Sequence, residues 1–251
     1  MIIAILVLFF TVVLSGFLVK VFPPHNGRWL KIALSFSGAY LFTITIIHLL
    51  PDVLQNGTTQ SYGVGYWVLA GFFLQLVLEL FSQGIEHGHM HIHEADKNSG
   101  TVPFLLLLSL TIHSFLEGSI LVQNQSVAPH LHVQDTFYEV LAGIAIHHIP
   151  AAFALMSILV FRLNNFRKAF AYLLIFAVAS PLGILFSNYI IPEQIEEGQV
   201  FIVLSGLVAG NFLHISTTIL FETSPDHRFN RNKVLATLAG ALLALASDMV
   251  H

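Results

Sequence analysis

The sequence has no cysteine and few charged residues, and both shortages narrow what the chain can be. Without cysteine it forms neither disulfides nor thiolate metal sites, although its redox compartment stays undecided. Only 10% of its 251 residues are charged, whereas a soluble globular protein has about 25%. Together with 55% hydrophobic residues and a mean hydropathy of +0.78, this predicts an integral membrane protein. A net charge of −4 gives no indication of nucleic-acid binding.

Eight apolar runs of about the length of a transmembrane helix, some 20 residues each, follow one another along the chain. They predict an all-α, polytopic fold that forms a single transmembrane domain over residues 1–251. The first run lacks the basic segment of a secretory signal, so we expect it to remain as a helix. The runs cover residues 2–22, 32–51, 63–83, 102–123, 137–161, 167–188, 199–221 and 234–250.

The basic residues predict how the chain lies in a plasma or inner membrane. All 10 Lys and Arg residues lie either in the loops that connect runs 1 and 2, 3 and 4, 5 and 6, and 7 and 8, or at the run ends next to these loops. These four loops face the same side of the membrane if each run crosses it once. Because cytoplasmic loops carry the positive excess, both termini are expected outside the cytoplasm. The loops on the outer side contain acidic residues without Lys or Arg, and an acidic surface attracts cations.

The fourth run carries metal-ligand side chains at membrane depth. In the segment TIHSFLEGSI, residues 111–120, His113 and Glu117 are four residues apart and share one face of a helix. An ionisable group at the centre of a bilayer costs about 2.5–3.5 kcal/mol and by default marks a functional site. Ser114 is a candidate weak ligand. The alternative is a packing stripe in which the histidine bonds to a backbone carbonyl.

The fifth run carries a second cluster, in IAIHHIPAAF, residues 144–153. His147 and His148 precede Pro150, which donates no backbone hydrogen bond and so leaves a carbonyl and space beside the two histidines. A kink used only for packing is the alternative. A divalent cation shared by the fourth and fifth runs would satisfy the ligands of both, and we predict such a site.

Other polar residues extend this pattern through the membrane. His48 and Asp52, four residues apart at the end of the second run, are either a ligand pair at the outer entrance or a solvated helix end. Glu79 is either a transport residue or a side chain that reaches the nearby interface. For His214, in the seventh run, hydrogen-bonded packing is favoured over a role in the pathway.

A histidine-rich cytoplasmic loop is predicted at residues 85–101. Its alternating histidines lack the spacing of a closed structural zinc site, which indicates a flexible metal sensor or buffer. A polar loop that is merely rich in histidine is the alternative. The four histidines are His87, His89, His91 and His93.

Several motifs together resemble the ZIP (Zrt/Irt-like) family of divalent-metal transporters over nearly the full chain. They are HLLPD, HSFLEG, HHIPAA and SGLVAGNFLHIS in runs two, four, five and seven, together with the histidine-rich loop. The resemblance implies uptake of a metal ion toward the cytoplasm by alternating access, with no enzymatic activity and no cofactor. The expected cargo is zinc first, or iron, manganese, cobalt or cadmium, and the expected partners are membrane lipid and a second copy in a homodimer.

The departures from the family pattern predict a single ion position. Ser114 stands where members often have asparagine, Ala151 where a further ligand is usual, and Ser180 where some members have glutamate. These changes remove much of a second, adjoining metal position. The expected ligands are therefore His113, Glu117 and His147, with His148 as an auxiliary ligand.

Two other classes of protein also hold metal ligands inside membranes. An intramembrane zinc hydrolase would use Glu117 or Ser114 for chemistry at one depth. A metal-sensing receptor would bind the ion without passing it on. The polar residues here extend from one side of the membrane to the other, which favours transport over both.

Overall fold

A computed structural model describes residues 1–22, 27–56, 61–82, 84, 100–122, 133–190, 197–221 and 231–249. Within these ranges the regular structure is all helical, which confirms the predicted fold class. The helices are α1 (Ile2–Leu18), α2 (Gly27–Ile44), α3 (Leu50–Asn56), α4 (Ser61–Ser82), α5 (Phe104–Ser119), α6 (Val133–Leu163), α7 (Phe166–Leu185), α8 (Glu197–Phe221) and α9 (Arg231–Asp248).

Two π-helical segments extend these helices. Residues Thr45–Leu49 join α2 to α3 without a break, and Phe186–Ile190 extend α7. The first segment ends two residues before Pro51, whose ring does not fit a regular helical turn. Wider π turns often occur at functional positions, and this one carries His48.

Five helical stretches in the described ranges are long and apolar enough to cross a membrane, so the chain is a polytopic membrane protein. Helices α1 and α5 are apolar but shorter, and α9 also lies on a predicted run. Large apolar side chains face outward, including Leu80 at 73% exposure and Phe104 at 66%, as lipid contact requires. The five stretches are Trp29–Leu54, Gly63–Ser82, Phe137–Leu163, Phe166–Tyr189 and Val200–Phe221.

The helices pack as two groups of four. One group consists of α1, α5, α6 and α7. The other consists of α2, α4, α8 and α9, where α2 includes its continuation α3. The groups meet mainly where α2 packs on α6 and α4 packs on α5. Because α5 and α6 both line this boundary, the polar residues of the fourth and fifth runs come within reach of the second group.

Glycines allow the closest helix contacts within each group. A Cβ on Gly118 of α5 would overlap the carbonyl oxygen of Ser180 on α7, and one on Gly183 would overlap that of Phe115. Small residues let membrane helices approach at backbone distance. Close approach of α4 and α8 occurs in the same way at Gly71, Gly206 and Gly210.

Candidate metal centre

The candidate centre lies between α5 and α6 and combines three imidazoles with one carboxylate. Helix α5 contributes His113 and Glu117 from one face, and α6 contributes His147 and His148. All four side chains are buried, none of them more than 2% exposed. The two predicted clusters therefore meet in the interior of the structure, where solvent does not reach them.

Three of these residues can surround one ion. One ligand atom each from His113, Glu117 and His147 lies within 4.8 Å of the other two. Around a tetrahedral zinc ion such atoms are about 3.3 Å apart, because zinc–ligand bonds are about 2.0–2.1 Å long. Small side-chain movements would therefore close the trio on an ion. The sequence proposed the same three ligands.

Glu117 is held between two imidazoles. Its Oε1 lies 3.1 Å from Nε2 of His113, and its Oε2 lies 2.8 Å from Nε2 of His148. A carboxylate removed from water needs such partners, since an uncompensated buried charge is strongly destabilising. His148 thus contacts the centre through Glu117, while its ring packs against Phe176 at a centroid distance of 5.5 Å.

Asn211 of α8 reaches the centre from the second helix group. Its Nδ2 lies 2.9 Å from Nδ1 of His113, on the side of the ring away from Glu117. The sequence showed Asn211 only as one polar residue in an apolar run. Its role was missed because the partner is 98 residues away in the chain.

Ser114 faces α7. Its hydroxyl lies 2.8 Å from that of Ser180, which also donates a hydrogen bond of 2.7 Å to the Ser114 carbonyl. A ligand role for Ser114 stays a prediction, but its hydroxyl already has a partner. The two serines that depart from the family pattern are therefore bonded to each other beside the centre.

A second acid–imidazole pair lies closer to the start of α6. His48 Nε2 is 2.8 Å from Oε2 of Glu139, a residue only 4% exposed. The sequence paired His48 with Asp52 and missed Glu139. An available signal was an acid eight residues before His147 in an apolar run, about 12 Å along a helix. A metal role for His48 or Asp52 stays a prediction.

A third pair joins α8 to α4. His214 Nε2 is 3.5 Å from Oε2 of Glu79, and the His214 ring meets Phe72 edge-on at 4.8 Å. His214 follows Asn211 by three residues along α8, a rise of about 4.5 Å. The contact with Phe72 agrees with the packing role that the sequence favoured for His214, whereas the nearby Glu79 carboxylate agrees with a role in the ion pathway. The loop histidines His87, His89, His91 and His93 lie outside the described residues.

The chain is similar in sequence to a family of zinc transporters. A family model described as ZIP Zinc transporter matches residues 82–248. The chain is 27% identical over 252 residues to Zinc transporter ZIP1 of Danio rerio, which covers 82% of this chain and 80% of that protein. It is 26% identical over 241 residues to Zinc transporter ZupT of Nitratidesulfovibrio vulgaris, covering 86% of this chain and 83% of that protein.

A match to Protein zntD of Dictyostelium discoideum covers much less of the relative. The two are 27% identical over 158 residues, which is 59% of this chain but 22% of that protein. The chain therefore spans about a fifth of zntD and about four fifths of ZIP1 and ZupT.

Proposed function

The chain belongs to the ZIP zinc transporter family, and on that basis we propose that it takes up a divalent metal ion, zinc first, toward the cytoplasm by alternating access. Members of this family are transporters, so the hydrolase alternative is not favoured. The observation that best supports the proposal is the buried trio of His113, Glu117 and His147 between two helices.

The trio suits an ion that must be both selected and released. Imidazole and carboxylate ligands favour borderline divalent ions, so iron, manganese, cobalt and cadmium are the other candidate cargoes. Three protein ligands leave at least one coordination position for water. Such a site binds a partly dehydrated ion without enclosing it, which conduction through a membrane requires.

The two acid–imidazole pairs give the ion further points of contact. The His48–Glu139 pair would receive it before the trio, and the His214–Glu79 pair would receive it afterwards. With the eight alternating crossings that we propose, α6 and α8 begin on the same side of the membrane, and the two pairs then lie on opposite sides of the centre. Both pairs contain the same ligand types as the trio.

Uptake of radiolabelled zinc into liposomes that contain the purified protein tests this function. The expected result is saturable accumulation that iron, manganese, cobalt or cadmium reduces to different extents. A receptor without flux would bind zinc at the membrane but accumulate none inside the vesicles. Accumulation equal to that of protein-free liposomes, in vesicles shown to contain folded protein, would rule out transport.

Glu139 is expected to matter more for uptake than Asp52. Replacing Glu139 with glutamine keeps the size of the side chain but removes the charge that faces His48. Since this weakens capture and leaves the trio intact, the zinc concentration for half-maximal uptake should rise about tenfold, a typical effect of losing a partner of a metal ligand. Asp52→Asn is the matched comparison, and a larger effect there would restore the pairing that the sequence proposed.

The histidine-rich loop is expected to regulate transport without being part of the permeation path. Deletion of residues 87–93 removes the four histidines of the predicted cytoplasmic loop. Maximal uptake should persist, while its dependence on zinc concentration should change because a local metal buffer is lost. Replacing the four histidines with glutamine controls for loop length. A deletion that stops uptake while the protein stays folded would contradict a purely regulatory role.

Finer features of the assembly remain predictions from the sequence. We propose eight membrane crossings with both termini outside the cytoplasm, since that arrangement places all 10 Lys and Arg residues on one side. We also propose a homodimer, which the family resemblance implies, and a single transmembrane domain over residues 1–251 in a plasma or inner membrane, which the apolar runs indicate. Cysteine labelling from either side of the membrane tests the orientation, because the natural sequence has no cysteine.

A further inference from the structure

The contact between Asn211 and His113 joins the metal centre to the second group of helices. The amide and the ring are both 2% exposed, and the Nδ2–Nδ1 distance is 2.9 Å. In this orientation Oδ1 of Asn211 has no hydrogen-bond partner in the described part of the chain. A buried amide with one end on a metal-ligand ring and an unpaired oxygen needs an explanation.

The donors and acceptors fix which form of His113 this contact favours. An amide nitrogen only donates, so Nδ1 must carry the lone pair. The proton of the neutral ring then lies on Nε2, which faces Oε1 of Glu117 at 3.1 Å. In that tautomer Nε2 has no lone pair for a metal ion. The contact in this orientation therefore suits the form of His113 that does not bind an ion.

Zinc binding through Nε2 reverses each of these roles. The ring proton must move to Nδ1, and a metal-bound histidine normally donates that proton to an acceptor. Asn211 supplies one if its amide turns over, because Oδ1 then faces the ring. The two ends of an amide have nearly the same shape, so both orientations fit the same space.

We infer that Asn211 is a positioning residue that supports His113 in both tautomers, through Nδ2 when the site is empty and through Oδ1 when an ion is bound. A carboxylate in its place would accept only, and would favour the bound form alone. An amide stabilises both the metal-free and the metal-bound form of His113, so the free-energy difference between them is smaller than with a carboxylate. A smaller difference makes release of the ion easier. This inference rests on the proposed transport function and on His113 as a ligand of the ion.

Two substitutions separate this role from a purely structural one. Asn211→Asp keeps the size and the acceptor but removes the donor, so zinc should bind about tenfold more tightly while maximal uptake falls. Asn211→Leu removes both, so the metal-free and the metal-bound forms lose support together, and zinc affinity should change much less than in Asn211→Asp. Asn188→Leu is the control, because Asn188 Nδ2 donates to the carbonyls of Leu121 and Ile184 in another helix contact.

The added charge of aspartate would also attract zinc, so the tautomer has to be measured directly. Nitrogen NMR of histidine-labelled, metal-free protein should show the proton of His113 on Nε2 in the wild type and on Nδ1 in Asn211→Asp. Zinc binding to purified protein and uptake into liposomes are measured on the same samples. Tighter zinc binding in Asn211→Asp than in Asn211→Leu, together with the tautomer change, would support the inference.

The inference is overturned if Asn211→Asp binds zinc as Asn188→Leu does, or if the tautomer of His113 is the same in Asn211→Asp as in the wild type. His113→Ala distinguishes that failure from failure of the proposed site. If His113→Ala stops zinc binding while the Asn211 variants bind as the wild type does, only the role of Asn211 is wrong. If His113→Ala binds and transports zinc normally, the site and the inference both fall.

Discussion

Zinc uptake should fall to the level of protein-free liposomes when Glu117 is replaced by alanine. Glu117 is the one carboxylate of the trio, and its two oxygens contact His113 and His148. Its removal takes away the negative charge that offsets the ion and leaves both imidazoles without this partner. Binding and transport should therefore be lost together, in equilibrium binding to purified protein and in uptake by liposomes.

Glu117→Gln and Ser119→Ala make this experiment specific. Glutamine preserves the shape of the side chain and should still abolish uptake, since it carries no charge. Ser119 lies on the same helix, and its hydroxyl donates a hydrogen bond of 2.6 Å to the carbonyl of Leu116 in the preceding turn. Its replacement should therefore leave uptake unchanged. Full flux in Glu117→Gln would show that the ion does not pass through this centre.

Gly118→Ala should destabilise the protein and slow transport. The added methyl group would overlap the carbonyl oxygen of Ser180 and push α5 away from α7. Forcing one extra carbon into a packed contact costs about 1–3 kcal/mol. The displacement would also disturb the hydrogen bonds of Ser114 and Ser180 and the position of Glu117 beside them.

Gly65→Ala is the matched control for this substitution. Gly65 is also on a membrane helix, but a Cβ there would have no heavy atom within 4 Å. Thermal unfolding in detergent should give a clearly lower midpoint for Gly118→Ala than for Gly65→Ala, which should resemble the wild type. Equal midpoints for both variants would show that the α5–α7 contact adapts without cost.

The sequence predicted contacts within one helix better than contacts between helices. His113 and Glu117 were assigned to one face because their spacing of four residues matches a helical turn. His147 and His148 point in different directions from adjacent positions, and the departures from the family pattern favoured His147. In the structure His147 completes the trio, whereas His148 contacts the other oxygen of Glu117.

Partners on different helices were beyond the reach of local spacing. Glu139 and Asn211 are unremarkable in their own segments, and their contacts with His48 and His113 depend on how α2, α5, α6 and α8 pack. The predicted helix ends also differ from the observed ones, because hydropathy carries no information about backbone conformation. The second run was predicted to end at residue 51, but the helix passes through a π segment and continues to Asn56.

The position of Glu117 between two histidines affects the unloaded carrier as well as the loaded one. An imidazole nitrogen lies opposite each carboxylate oxygen, so the buried carboxylate has partners within the protein itself. A metal ion that binds Glu117 therefore replaces a partner that the carboxylate already has, so the charge is compensated in both states.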